Sequence, residues 1–459
     1  MSDYNYVVKI YCARVEINDY IPYKMSNEEP VTGTGLFIDE KHILTCSHVI
    51  KGCDTGQFTL SGDKNRIDFT VVSVSFDRDI ALLLATNYTY KGKLPTLNGN
   101  YVAQMSDAVN IIGYPGTDSV TMTQGIVSGM YEHFIQTDAS LNAGNSGGPL
   151  ILKSTGDVIG INTSSLIDTE GIGFANPISL VLTILDLLKK PPNNAKIIYN
   201  FDMLFEGMNL DEGFSNTISF AYVNNRGYYI KKIYKDSPLE SIGMNEGSIL
   251  LSINNINIDN YGMVENNGNK THIRFYVEKF KNGDTISIKY WFNGKEDTKN
   301  ITVKFENKYT IKSLYYPYDK FDYEIVGGIV LMDLNYNHVK KVFEKDNDVA
   351  LENRTKIYNF NRLRKRFDRQ LVVTKIFAGT DVEKMQNLNV GDFITKVNNI
   401  DVNSLQSLRH AISINPLIIT MENDTNDKIV IYINNYNKII DKLRNAHGIP
   451  QTISQQMIS

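Results

Sequence analysis

The chain has 459 residues, 42% of them hydrophobic and 21% charged, with a formal net charge of -4. That length fits roughly two to four globular domains, and the charge balance gives no electrostatic ground for binding nucleic acid or an anionic membrane. The three cysteines, Cys12, Cys46 and Cys53, are odd in number and too few for a disulfide scaffold, so a reducing compartment is expected.

In chain order, Ser2 to Tyr6 shows no basic stretch followed by an apolar one, so no signal peptide is read. No run approaches the roughly 18 apolar residues of a membrane span. An intracellular, cytoplasmic protein is expected. Val7–Val15 is rich in β-branched and aromatic residues and reads as a strand; a polar loop from Asn18 to Pro30 follows. His42–Ile50 is a short apolar strand giving way to a polar segment, and His48 sits at the change. A histidine at a strand end is more often structural than catalytic, so its neighbours decide. In Phe76–Leu84 an acidic residue runs straight into an apolar strand. Asp79 abuts that strand, and a buried carboxylate needs a donor such as an imidazole N–H. Asp77 is the competitor, but Asp77 and Arg78 can pair with each other or with solvent.

Further short strands are read at Val109–Gly116, Val120–Gly129, Asp157–Thr163 and Gly171–Ile178, separated by Gly and Pro turns. Such a series indicates an all-β sandwich or a pair of barrels. A helix from Pro177 to Lys190 closes the unit, with Leu180, Ile184, Leu187 and Leu188 at helical spacing.

Between these strands lies Gln136–Leu150, in which Ser146 stands among Gly144, Gly147 and Gly148. Glycines let the backbone take dihedrals closed to other residues. A tight turn here can aim the amides of Gly144 and Ser146 at one point beside the serine hydroxyl, which is what an oxyanion hole requires.

His48, Asp79 and Ser146, in that order, resemble the triad of trypsin-like serine proteases. The flanking segments ILTCSHVI, DRDIALLL, IIGYPG, TQGIVSG, QTDASLNAGNSGGPL, VIGINTSS and GIGFANPIS are similar to the HtrA/Deg branch over residues 7–190. The resemblance implies a mainly β protein: a trypsin-like double β-barrel protease domain followed by two PDZ-like α+β domains. It implies that Ser146 is the nucleophile, that His48 is general base and then acid, and that Asp79 fixes the imidazole tautomer. The amides of Gly144 and Ser146 would stabilise the oxyanion. No metal or cofactor is implied. Cys46-Ser47 before His48 departs from the family, where small residues without sulfur are usual. The specificity pocket would be lined by Ala139, Ser140 and Leu141, with Ile161, Asn162 and Thr163 opposite. With no carboxylate at its base, cleavage after small or medium aliphatic residues is expected.

Beyond a protease domain at 1–190 and a linker at 191–200, the chain repeats itself. Lys232–Ile256 and Lys375–Ile400 each read as strand, short helix, Gly turn, strand and Asn-Asn hairpin. Both copies resemble PDZ domains, here 201–308 and 309–437, with a tail at 438–459. PDZ domains take a peptide as an added strand and cap its carboxylate with backbone amides. In the first copy Phe205, Glu206, Gly207 and Met208 are the candidate carboxylate loop, with Glu206 a poor neighbour for an anion. The second copy is interrupted by Asp346–Arg369, whose basic run Arg362, Arg364, Lys365, Arg366 and Arg369 reads as a solvated face rather than a patch. Tyr323–Val330 and His447–Pro450 resemble plant-type Deg proteases, in which the second PDZ domain tends towards internal contacts.

The resemblance therefore implies an ATP-independent serine endopeptidase acting on unfolded or damaged proteins. No GxxxxGK[ST] motif is present. Its partners would be unfolded proteins or peptides, with C-terminal peptides at the first PDZ-like domain. The alternative is a PDZ-based peptide-binding or chaperone-like scaffold with a dormant protease domain. Trimer-based homo-oligomers are implied too, with Tyr4, Tyr6 and Tyr11 as candidate contacts. Residues 142–146 are expected to switch between open and collapsed arrangements.

Overall fold

The structure, a computed structural model, describes residues 4–165, 171–210, 226–266, 269–344, 348–435, 441, 444–446 and 448–449. The chain forms two compact units, Met1–Arg14 with Pro30–Asn307, and Val15–Glu29 with Lys308–Ser459. No helix among the described residues is long and apolar enough to cross a membrane.

Along the chain, β1 (Val7–Arg14) of the first unit is followed by β2 (Ile17–Asn18) and β3 (Ile21–Met25), a hairpin of the second unit, and then by β4 (Glu29–Phe37), β5 (His42–Thr45), β6 (Thr55–Leu60), β7 (Ile67–Ser75) and β8 (Ile80–Ala85) of the first. Strands β1-β4-β5-β8-β7-β6 close into a barrel. Phe37, Phe58, Phe69, Ile43, Leu44 and Leu82 of this barrel are all buried. A second closed barrel, β10-β11-β14-β13-β12-β9, is built from β9 (Ala108–Gly113), β10 (Thr121–Tyr131), β11 (Phe134–Thr137), β12 (Pro149–Leu152), β13 (Val158–Ser165) and β14 (Gly173–Pro177). Val109, Ile111, Val127, Ile135, Leu150 and Ile159 fill it. Closure leaves neither sheet with a free edge. The mainly β, double-barrel architecture expected from the sequence is thus present.

The closing helix spans Ile178–Lys189 and buries Ile178, Val181, Ile184 and Leu188, so Val181 rather than Leu180 faces inward. The segment after it does not hang loose. The Val74 amide donates to Lys196 O and the Ile198 amide to Val74 O, each at 2.7 Å, laying the linker along β7. Next comes the sheet β15-β16-β17-β21-β22, with β15 (Phe205–Met208), β16 (Tyr228–Ile233), β17 (Ile249–Ile253), β18 (Ile256–Asn257) paired to β17, β21 (Thr285–Phe292) and β22 (Lys295–Thr302). A ribbon of β19 (Met263–Asn266) and β20 (Asn269–His272) leads into the helix Ile273–Tyr276.

The second unit carries the sheet β23-β24-β25-β26-β28-β29, formed by β23 (Glu324–Val326), β24 (Ile329–Asp333), β25 (Leu371–Ile376), β26 (Phe393–Val397), β28 (Ile418–Asn423) and β29 (Lys428–Tyr432), with β27 (Ile400–Asp401) paired to β26. The internal repeat is visible in backbone detail. Asn254 and Asn255 (φ 46° and 64°) and Asn398 and Asn399 (φ 49° and 62°) make the same left-handed two-residue turn after β17 and β26. Ser237 and Thr380 cap the matching short helices. The insertion forms the helix Leu351–Tyr358. Its Ile357, with Phe360, packs on Met332, Leu334 and Val372. Arg366, from the run expected to face solvent, lies 4.0 Å from the Tyr309 ring and 4.1 Å from that of Tyr336. Of the tail, Ile449 packs with Ile325, Val330 and Phe377; His447 and Pro450 lie outside the described residues.

The hairpin β2–β3 belongs to this unit. Asp19, at its turn, accepts from Asn337 Nδ2 (2.7 Å) and pairs with Lys341 Nζ (2.9 Å). The fully buried His338 ring bonds Asp19 O through Nε2 at 2.8 Å, and Tyr20 donates to His338 O at 3.0 Å.

Candidate active site

β5 ends at Thr45, whose buried hydroxyl donates to Thr34 O at 2.7 Å. The chain then turns through the one-turn helix Ser47–Ile50. Arg14 holds its C-terminal carbonyls, donating to His48 O at 2.8 Å and to Lys51 O at 3.2 Å. Asp79 enters β8 from a left-handed backbone conformation, φ 51°, which costs energy for any residue with a Cβ and persists only where the surroundings impose it.

That strain delivers a carboxylate with four donors. Oδ1 accepts from Ser47 Oγ (2.8 Å) and from the His48 amide (3.0 Å). Oδ2 faces His48 Nδ1 at 2.8 Å and also accepts from Thr163 Oγ1. Burial pulls the carboxyl up, but the His48 ring, the Thr163 hydroxyl and the His48 amide together hold it below the usual carboxylate range. An ionised carboxylate only accepts, so Nδ1 carries a ring proton, and in the neutral imidazole Nε2 is then the acceptor. The competitor Asp77 is used elsewhere, accepting from the Asn200 amide at 3.2 Å. Arg78, expected to pair with Asp77 or with solvent, does not turn to solvent. It is buried, 4% exposed.

The serine turn lies on the second barrel. A Cβ at Gly144 (φ 100°) would fall 2.3 Å from Tyr114 O, and one at Gly147 (φ 86°) 2.2 Å from Thr34 O, so only glycine fits either place. Thr34 staples the turn: its hydroxyl donates to Gly144 O at 2.6 Å and its amide to Ser146 O at 2.9 Å. Among the described residues the Asn145, Gly147 and Gly148 amides find backbone acceptors, whereas those of Gly144 and Ser146 find none. Ser146 Oγ donates to Thr163 O at 2.8 Å, and no hydrogen bond joins it to the His48 ring among the described residues. Thr163 thus touches both Asp79 and Ser146.

Cys46 Sγ, a His48 ring nitrogen and an Asp79 oxygen lie within 4.8 Å of one another, which invites a metal. The chemistry does not fit one. The Cys46 thiol donates to Asn162 O at 3.1 Å, and burial together with the charge of Asp79 pushes it well above the ordinary thiol range. A metal would need it as thiolate.

Of the candidate pocket residues, Ala139, Ile161, Asn162 and Thr163 are buried, Leu141 is partly buried and Ser140 is exposed. Ser140 O accepts from Thr123 Oγ1 at 2.9 Å. Thr163 turns its hydroxyl to Asp79. The nearby Asp138 carboxylate is engaged by the Ile126 amide at 2.7 Å. Phe205–Met208 is not the expected loop. It is the edge strand β15, paired with β16 from Phe205↔Ile233 to Met208↔Tyr229, and Glu206 takes a hydrogen bond from the Tyr234 hydroxyl. Sequence reasoning missed Ser47, Thr163 and Arg78 as neighbours of the acid. Only Thr163, a hydroxyl residue next to a buried strand, left a signal.

Residues 33–161 match the trypsin-like peptidase domain family. The chain is 31% identical over 302 residues to the serine protease Do-like HtrA of Bacillus subtilis, covering 60% of this chain and 64% of that protein. It is 23% identical over 423 residues to the chloroplastic protease Do-like 2 of Arabidopsis thaliana, covering 89% and 68%. The chain thus spans about two thirds of the length of these curated relatives. A solved structure of the HtrA-type protease AlgW with a tripeptide superposes with a TM-score of 0.51 at 23% identity, covering 67% of this chain and 95% of that one, which shows a shared fold.

Proposed function

We propose that this chain is a serine endopeptidase of the HtrA/Deg type that hydrolyses peptide bonds in unfolded or damaged proteins without nucleotide, through an acyl-enzyme on Ser146; its similarity to a trypsin-like peptidase domain and to a Do-like HtrA protease supports this. The observation that carries this reading is the pairing of a His48 ring fixed by Asp79 with a serine turn whose Gly144 and Ser146 amides have no backbone acceptor among the described residues.

The chemistry follows from those atoms. On substrate binding the Ser146 hydroxyl leaves Thr163 O and turns to His48 Nε2. His48 takes its proton as Oγ attacks the scissile carbonyl, and the developing oxyanion falls to the amides of Gly144 and Ser146. His48 then protonates the leaving amine, and water repeats the sequence to release the acyl group. Asp79 stays ionised and stabilises the imidazolium. The resting bond from Ser146 to Thr163 O also supports a regulated site, with residues 142–146 as the element that adjusts.

The two downstream sheets are read as PDZ-like domains. The edge strand β15 would take a C-terminal peptide as an added strand. At the other repeat, β23 is buried throughout, and Arg409 bridges Asp322 (2.9 Å) and Glu324 (2.5 Å) beside it, which supports internal contacts. Tyr6 is buried within the chain, so Tyr4 and Tyr11 are left as candidate contacts of a trimer-based oligomer. Cys12, Cys46 and Cys53 are buried and in no disulfide, which fits the expected reducing setting.

The test is casein degradation with and without ATP. Wild type should degrade casein equally well in both, and Ser146→Ala should lose on the order of a million-fold in kcat. An unaffected rate in that variant sinks the enzyme reading and leaves the scaffold one.

A further inference from the structure

Arg78 is a buried cation directly before the acid of the candidate triad, and its partners come from three separate segments. Nε donates to Asn200 Oδ1 at 2.6 Å, on the linker. Nη1 donates to Leu180 O and Thr183 Oγ1, both at 2.6 Å, on the closing helix. Nη2 donates to Glu278 O at 2.7 Å, beyond β20 in the downstream domain. The Phe305 ring lies 5.6 Å from the guanidinium. All four acceptors are neutral, although the Glu278 and Asp77 carboxylates are near enough to favour the charged guanidinium against the cost of its burial. The backbone of the same residue is pinned by buried Asn176, whose Nδ2 donates to Arg78 O at 2.7 Å.

Stability does not account for this arrangement. Burying a guanidinium on neutral acceptors costs desolvation, and an apolar side chain of similar volume is often as good or better in such a place. What the bonds do achieve is to immobilise residues 77–78 from four sides just before a residue in a strained conformation. Asp79 at φ 51° holds that conformation only if its neighbours leave it no alternative.

We propose that Arg78 is a positioning residue for peptide hydrolysis: it fixes the turn that presents Asp79 to His48, and it draws one of its four anchors from the downstream domain. The closing helix, the linker and the Glu278 segment then form one frame around the catalytic acid. Arg78 touches no reacting atom and acts through Asp79. The proposal rests on the reading of His48, Asp79 and Ser146 as the machinery. If Ser146→Ala cleaved as fast as wild type, that reading would fail independently of Arg78.

The experiment uses the full chain and a casein-derived fluorogenic peptide. It measures kcat and KM together with the proton resonance of His48 Nδ1–H, which reports the bond to Asp79. Arg78→Lys and Arg78→Met should lower kcat on the order of 10- to 100-fold, leave KM within about twofold, and shift or broaden that resonance. Asn200→Ala and Thr183→Val each remove one acceptor without creating a large cavity, and should give smaller changes of the same kind. A control, Ile184→Val, trims the helix core without touching the turn and should leave both readouts alone. Folded Arg78→Met with wild-type kcat and an unmoved resonance overturns the proposal. If both Arg78 variants fail to fold, unchanged kcat and resonance in both Asn200→Ala and Thr183→Val overturn it equally.

Discussion

Thr163 gives its hydroxyl proton to Oδ2 of Asp79, the same oxygen that faces the His48 ring. The carboxylate is therefore held from a second direction by the second barrel. Thr163→Val removes this charge-assisted bond without changing side-chain volume much, and such bonds contribute about 1.5–3 kcal/mol. We expect kcat to fall roughly 10-fold or more with little change in KM, and Thr163→Ser to retain most of the activity. Steady-state kinetics on one peptide series decides it; equal kcat in the Val and Ser variants would remove Thr163 from the account.

Glu278 gives a pH prediction whose sign is fixed. Its carboxyl is pushed up to about 7, chiefly by burial, with Arg78 and Arg274 pulling it down and Asp77 and Glu132 pushing it up. The folded state thus binds a proton that the unfolded chain has lost above about 4.3. Stability from this group is full below that value and is lost as pH rises through 7. His133, 3.5 Å away and pushed down to about 4 by burial, works in the opposite sense: its contribution is present above its ordinary value and lost as pH falls. Glu278→Gln carries no charge to bury. It should be more stable than wild type at pH 8, by on the order of 2 kcal/mol, and close to wild type at pH 5. Denaturant unfolding at both pH values checks this; a variant less stable at pH 8 contradicts it.

Asp19 is 6% exposed and bonded to Asn337 and Lys341. Asp19→Ala takes a buried acceptor away from both donors, and such a loss costs about 1–3 kcal/mol. The β2–β3 hairpin should become the first site of proteolytic nicking, read by mass spectrometry of early fragments. A digestion pattern identical to wild type would show that the contact is dispensable.

The Asp138 carboxylate, twelve residues beyond Ile126 in the chain, is already committed to the Ile126 amide. The candidate pocket residues Ala139, Leu141 and Ile161 supply apolar surface instead. Cleavage should follow small or medium aliphatic residues. A peptide-library profile dominated by Lys or Arg at that position would contradict the assignment.

The parts of the site legible in the sequence are those coded locally. The glycines around Ser146 mark positions where a Cβ would strike backbone oxygen, and the abrupt step from Asp79 into Ile80–Ala85 marks a carboxylate carried into a core. The repeat was legible because Asn-Asn pairs readily adopt positive φ. What escaped depends on long-range approach. Arg78 meets acceptors 102 to 200 residues away, and a charged side chain beside Asp77 reads locally as solvated. Residues 205–208 read as the carboxylate loop of a PDZ-like domain, yet pairing with β16 makes them a strand. The hairpin at Asp19 looked like a plain polar loop, since its partners at 337–341 lie at the far end of the chain.

The most direct test of the account is covalent labelling of the nucleophile. The protein is incubated with a fluorophosphonate, digested, and the modified residue mapped by mass spectrometry alongside residual casein hydrolysis. The account predicts one adduct, on Ser146, rising in step with loss of activity and absent from Ser146→Ala and much slowed in His48→Ala. Activity lost with Ser146 unmodified, or an adduct on another serine that tracks the loss, would contradict it.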